Sequence, residues 1–163
     1  MTESASFLAQ RLRDEGDRTV AYFKGLTESQ WSSTVYSENA RWALRDLLAH
    51  FVSVEKSFQE LFHDVQSGGG GAPDGFSIDR FNAEEVDRLA AHPPEALLGM
   101  FAQARSEMSV WVAGLSPLDL QKTGRHPGLG MSSLAEMIKM VYLHNQIHLR
   151  DARKRTGIGS SCR

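Results

Sequence analysis

Apolar residues recur along this chain at three- and four-residue intervals, the spacing that puts them on one face of an α-helix. Phe7, Leu8, Leu12, Val20 and Phe23 mark a first helix over residues 4–24, stopped by Gly25. Leu47, Phe51, Val54, Phe58 and Leu61 mark a second over 43–66. A third comes in two pieces, 79–91 and 94–113, divided at Pro93-Pro94, because proline ends one helix yet suits the first turn of the next. Its core stripe is Leu97, Met100, Phe101, Ala104, Met108 and Trp111. The capping box Ser133-Leu134-Ala135-Glu136 opens a fourth helix that runs to Thr156 and ends at Gly157. Two short turns open at Thr27 and Ser116, while residues 32–41 and 123–130 read as loops. Neither a strand alternation nor an internal repeat is visible.

The clearest break is Gly68 to Gly71 followed by Ala72-Pro73-Asp74-Gly75. It reads as a connection, since neither half would carry a full core. A helix of about 24 residues is about 36 Å long, and a dozen extended residues reach about 40 Å. The linker can therefore return along the bundle and set the third helix parallel to the second. These patterns predict an all-α four-helix bundle over 1–157, with a flexible tail over 158–163. They also bring Arg80 and Asn82 near the start of the second helix. Shortening the glycine run by one or two residues is expected to cost little, because closure entropy varies slowly with length.

Charge and composition narrow the function. The net charge of −2 over 163 residues leaves no basic footprint for nucleic acid. The run Arg150, Arg153, Lys154, Arg155 complements the dipole at the end of the last helix. No apolar stretch approaches the roughly 20 residues that span a bilayer, and the first residues do not form a signal peptide. The single cysteine, Cys162, excludes an intrachain disulfide and lies in the tail. A cytoplasmic location is the default expectation.

Candidate chemistry centres on His144-Asn145-Gln146-Ile147-His148. Residues four apart share a helix face, with Cβ atoms about 6 Å apart, so two such imidazoles can chelate one ion. Their stripe is otherwise apolar, through Met137 and Val141. His50 sits on the apolar stripe of the second helix, so a three-imidazole site with open coordination positions is available. A histidine on an apolar stripe is also, more blandly, a hydrogen-bonded core residue. Asp46, four residues before His50, either orients that ring or serves the helix dipole. Asp151 shares the face of His144 and His148 and is a fourth ligand, a base, a substrate contact or a partner of Arg155. Glu60-Leu61-Phe62-His63 matches one half of a di-iron motif, but no second half is present. His63, His92 and His126 read as surface or loop residues.

Three separated segments resemble the DinB/YfiT-like superfamily: Trp42-Ala43-Leu44-Arg45-Asp46-Leu47-Leu48-Ala49-His50, Asp79-Arg80-Phe81-Asn82 and Tyr142-Leu143-His144-Asn145-Gln146-Ile147-His148. Their order and spacing match along nearly the whole chain. The resemblance implies an up-down-down-up bundle holding a divalent ion (zinc, nickel or iron) on His50, His144 and His148. It implies activity as a thiol-dependent transferase or isomerase of the maleylpyruvate isomerase type, using mycothiol, bacillithiol or glutathione. Partners would be that thiol and a small electrophile, with Asn82 and Asp151 as substrate contacts and no catalytic residue assigned. A metal-dependent hydrolase and a non-catalytic metal- or small-molecule-binding bundle are the alternatives. Many relatives are dimers, so a homodimer is in view, although no stripe announces an interface. Ala43 departs from the family's usual Ser or Thr, which removes an N-cap of about 1 kcal/mol.

Overall fold

The computed structural model describes residues 3–38 and 40–159. Four long helices form the bundle: α1 (Ala5–Lys24), α2 (Leu44–Gln66), α4 (Pro94–Ala113) and α6 (Leu134–Thr156). A shorter α3 (Ile78–Leu89) precedes α4, and one turn of helix, α5 (Pro117–Gln121), follows it. The starts are chemically fixed. The Ser4 hydroxyl accepts from the Phe7 N–H at 3.2 Å. Ser133 and Glu136 exchange reciprocal bonds at 3.2 and 2.8 Å. At α2, where Ala43 cannot cap, the Asp46 carboxylate accepts the Ala43 N–H at 2.9 Å and supplies half of a capping box. Asp46 is therefore a helix-start residue and does not orient His50.

Side-chain bonds between helices give their directions. Arg45, at the start of α2, donates to the carbonyls of Ala90 and His92 just before α4, and His63 near the end of α2 packs on Trp111 near the end of α4. So α2 and α4 are parallel. Glu3 pairs with Lys139 at one end of α1 and α6, and Tyr22 donates to the Ile158 carbonyl at the other. Those two helices are parallel as well, and the topology is up-down-down-up.

The return from the end of α2 differs from the expected extended linker. Helix α3 itself climbs back along α2 and ends beside Arg45. The two pieces flanking Pro93-Pro94 are thus separate elements of opposite direction, and only α4 is parallel to α2. Two small hairpins were also not expected. Strand β1 (Thr34–Tyr36) pairs with β2 (Trp42–Ala43), and β3 (Thr123–His126) with β4 (Gly130–Ser133). Each strand is shorter than the run over which alternation can be recognised.

The apolar core falls into two clusters. One holds Leu8, Leu12, Phe62, Met108 and Met137, the other Phe23, Phe51, Leu89, Phe101 and Leu149. Between them, in the middle of the helices, lies a layer of buried polar groups. Arg105 is 3% exposed and Glu55 1%, which makes their ion pair a core element. The Arg105 guanidinium also donates to Asn145 Oδ1 and, at 3.1 Å, to the Leu12 carbonyl. Of the expected tail, Ile158 packs on the second cluster, while residues 160–163, including Cys162, lie outside the described residues.

The glycine run is not a slack tether. The Ala72 N–H donates to the Arg125 carbonyl and the Arg125 N–H to the Gly70 carbonyl, both at 2.8 Å. Gly71 has φ of +87°, and a Cβ there would lie 2.5 Å from the Arg125 backbone. Gly71→Ala should therefore destabilise the fold by about 1–3 kcal/mol. Gly70→Ala, with nothing within 4 Å, is the control and should be near neutral. Equal urea midpoints for the two variants would show that the loop is not held to β3.

Candidate metal centre

His50 on α2 and the pair on α6 meet because these helices cross antiparallel at the height of the polar layer. His50 Nε2 lies 3.1 Å from His144 Nε2, which lies 3.0 Å from His148 Nε2. Among the described residues, these three form the group of His, Cys, Asp and Glu side chains able to share one ion, with ligand atoms all within 4.8 Å. Tetrahedral coordination at the usual imidazole distance needs nitrogens about 3.3 Å apart. The observed separations fit it with a small outward adjustment.

Charge state fits as well. Burial lowers the pKa of His50 to about 3, and the neighbouring His148 pushes the same way. Burial holds His144 well below its ordinary value, helped by His50, His148 and Arg105. Burial also lowers His148, against the pull of Asp151. All three rings are thus kept neutral, the form that binds metal.

Tyr36 on β1 sets one tautomer. Its oxygen lies 2.7 Å from His148 Nδ1 and 2.8 Å from Asp151 Oδ2. A carboxylate only accepts, so the single phenolic proton goes to Asp151. His148 Nδ1 must then donate to Tyr36, which leaves the Nε2 lone pair facing its partners. Burial and the Asp151 carboxylate raise the Tyr36 pKa, which keeps its proton in place. Arg155 lies over the Tyr36 ring at 4.9 Å. His50 is oriented differently: its Nδ1 is buried without a hydrogen-bond partner among the described residues, and Trp42 packs on the ring at 4.9 Å.

Tyr36→Phe should keep the fold but weaken metal binding by about 10–100-fold. Competition with a chromophoric chelator measures this, and unchanged affinity would remove Tyr36 from the site.

Beside His50 and His144 lies a cleft of about 320 Å³. Val54, Phe58, Leu61, Phe81 and Met140 give it apolar walls, and Asn82 lines it. Asp151 is not on this wall; it stands behind Tyr36. Arg80, expected near the metal, faces solvent and pairs with Glu84 at 2.9 Å. His126, expected at the surface or in a loop, is instead only 5% exposed and stacks on Phe58 at 5.3 Å. Its Nδ1 accepts from the N–H groups of Gly128 and Leu129 at 3.0 and 3.1 Å. His63 and His92 are exposed, as is Glu60, which leaves the di-iron motif without a buried site.

The sequence model of the DinB superfamily matches residues 11–152. The chain belongs to the DinB superfamily. No curated protein matches it in sequence. Among solved structures, the DinB chain is similar to the mycothiol-dependent maleylpyruvate isomerase, with a TM-score of 0.78 at 14% identity over 98% of this chain and 63% of that one. It thus spans under two thirds of the isomerase. It is also similar to YfiT from Bacillus subtilis, described as a probable metal-dependent hydrolase with an unusual four-helix bundle topology. There the TM-score is 0.75 at 13% identity, over 94% of this chain and 87% of that one. At such identities the likeness speaks for the fold, which is the bundle described above.

Proposed function

We propose that the protein is a divalent-metal-dependent enzyme that joins a small thiol to an electrophile, as an S-transferase or isomerase. The observation that carries this is the convergence of three neutral imidazoles, His50, His144 and His148, two of which, His50 and His144, line an apolar cleft. When bound there, a divalent cation supplies the positive charge that favours the ionised, nucleophilic form of a thiol. The three histidines hold the cation without neutralising it, and Tyr36 with Asp151 orients one of them. Asn82, which lines the cleft, would contact the electrophile held between its apolar walls. The name of the mycothiol-dependent neighbour supports a thiol, and that of YfiT supports hydrolysis as the runner-up.

Cobalt-substituted protein provides the test. Adding mycothiol, bacillithiol or glutathione should bring up an intense near-ultraviolet sulfur-to-metal band. Cobalt that binds yet never responds to any of these thiols would move hydrolysis, or binding without turnover, ahead of thiol transfer.

A further inference from the structure

We infer that the cleft is built for length: it takes an electrophile whose reactive head lies at the histidines and whose unbranched apolar chain, of about eight to ten carbons, runs along α2. The placing of the reactive head rests on the thiol-transfer reading above; the room for the chain does not.

The register of the lining residues carries the inference. On α2 the cleft is lined by His50, Val54, Ser57, Phe58, Leu61 and Asp64. They recur at steps of three and four, so they form one stripe along the helix. At 1.5 Å per residue, His50 and Leu61 are about 16 Å apart along the axis, and His50 and Asp64 about 21 Å. The facing walls run the same way. On α6, antiparallel to α2, Met140 lines the cleft one turn before His144. On α3, which climbs back along α2, Ile78 lines it nearer the far end and Asn82 nearer the histidines. Three helices thus bound a groove parallel to their axes. Its volume of about 320 Å³ is at the small end for ligand sites. A small volume drawn out over several helical turns is slender, which suits a single chain and excludes a fused-ring body.

The chemistry changes along the groove as an amphiphile requires. Polar groups sit at one end, in His50, His144 and Asn82. Beyond them the side chains of Val54, Phe58, Phe81, Met140 and Leu61 are apolar. Ser57 is half-buried beside these, and the two acids, Glu60 and Asp64, are exposed. The linker crosses the far end. The Gly71 N–H donates to Asp64 Oδ2 at 2.9 Å, and the same segment is tied to β3 through the Arg125 backbone. That crossing sets a limit on the chain. A zigzag of carbon–carbon bonds of about 1.5 Å advances about 1.3 Å per bond. About eight to ten carbons therefore fill the distance from a seated head to Leu61.

The test is a chain-length series of methyl ketones, from 2-pentanone to 2-tridecanone, which require neither metal nor thiol. Each is titrated into the purified protein and followed by ligand-observed NMR. Affinity should rise about fourfold per added CH₂ and level off at about ten carbons. Ser57→Trp, which sets a large ring midway along the stripe, should bring the levelling point down to about six carbons and leave 2-pentanone within about twofold. Circular dichroism checks its fold; should the variant not fold, the series on the unaltered protein decides by itself. A flat series, a rise that never levels, or a levelling point that ignores a folded Ser57→Trp overturns the inference. Thiol bands in cobalt protein are a separate readout. Their absence with the chain series intact would sink the thiol reading and leave the groove's preference standing, and the reverse result would do the opposite.

Discussion

Replacing His144 or His148 with alanine should abolish divalent-ion binding at the proposed site and leave the bundle folded. Each ring supplies one of three converging nitrogens, so its removal leaves a two-point site. Loss of an orienting group behind a ligand costs about 10–100-fold in affinity, and loss of the ligand should exceed that. The fold should survive because neither residue belongs to the two apolar clusters. Elemental analysis of purified variants, beside circular dichroism, reads both quantities at once. Stoichiometric metal in both variants would refute the triad. The same rings predict a pH dependence for the metal-free protein. Unfolded histidine titrates near 6.5, whereas His50 in the fold is held to about 3. Between those values the unfolded chain binds more protons, so stability falls as pH falls through that window.

Arg105→Met should be the most damaging single change to stability. It leaves the Glu55 carboxylate buried without its cation, orphans Asn145 Oδ1, and removes the bond to the Leu12 carbonyl. Breaking a buried pair from one side costs about 3–5 kcal/mol, while replacing both partners by apolar groups of similar volume is often neutral. Arg105→Met with Glu55→Leu should therefore recover most of the loss. Urea unfolding of the two singles and the double closes the cycle. A single-variant cost below about 1 kcal/mol would mean that this layer does not secure the bundle. Asn145 adjoins His144, so the layer also sets the register of α6 against α2, and Arg105→Met should weaken metal binding in parallel.

The helices were legible because their apolar stripes run for many turns and their ends carry Ser, Asp, Pro and Gly where the backbone needs them. That His144 and His148 share one inward face was legible for the same reason, because residues four apart lie one turn above each other. Tyr36 was not. It stands in a three-residue strand within a polar stretch, and its bond to His148 spans 112 residues. Nothing local marks it. Glu55 and Arg105 were missed because a lone charge in an apolar stripe looks like a helix edge until its partner is found 50 residues away. The direction of α3 was misread because Pro93-Pro94 shows that the chain turns, but not how far. His126 looked like a loop residue because the β3–β4 hairpin that buries it is too short to leave a period.

The pairing of α2 with α6 also bears on when, during synthesis, the proposed ion site comes into being. His50 and His144 are 94 residues apart. At a ribosomal pace of about 5–20 residues per second, His50 waits about 5–20 s for its partners to be translated. No fragment lacking α6 carries more than one of the three ligands. Loading of an ion at this site would therefore wait until α6 has been translated, and a product terminated before α6 could not compete for the cell's ion supply through it.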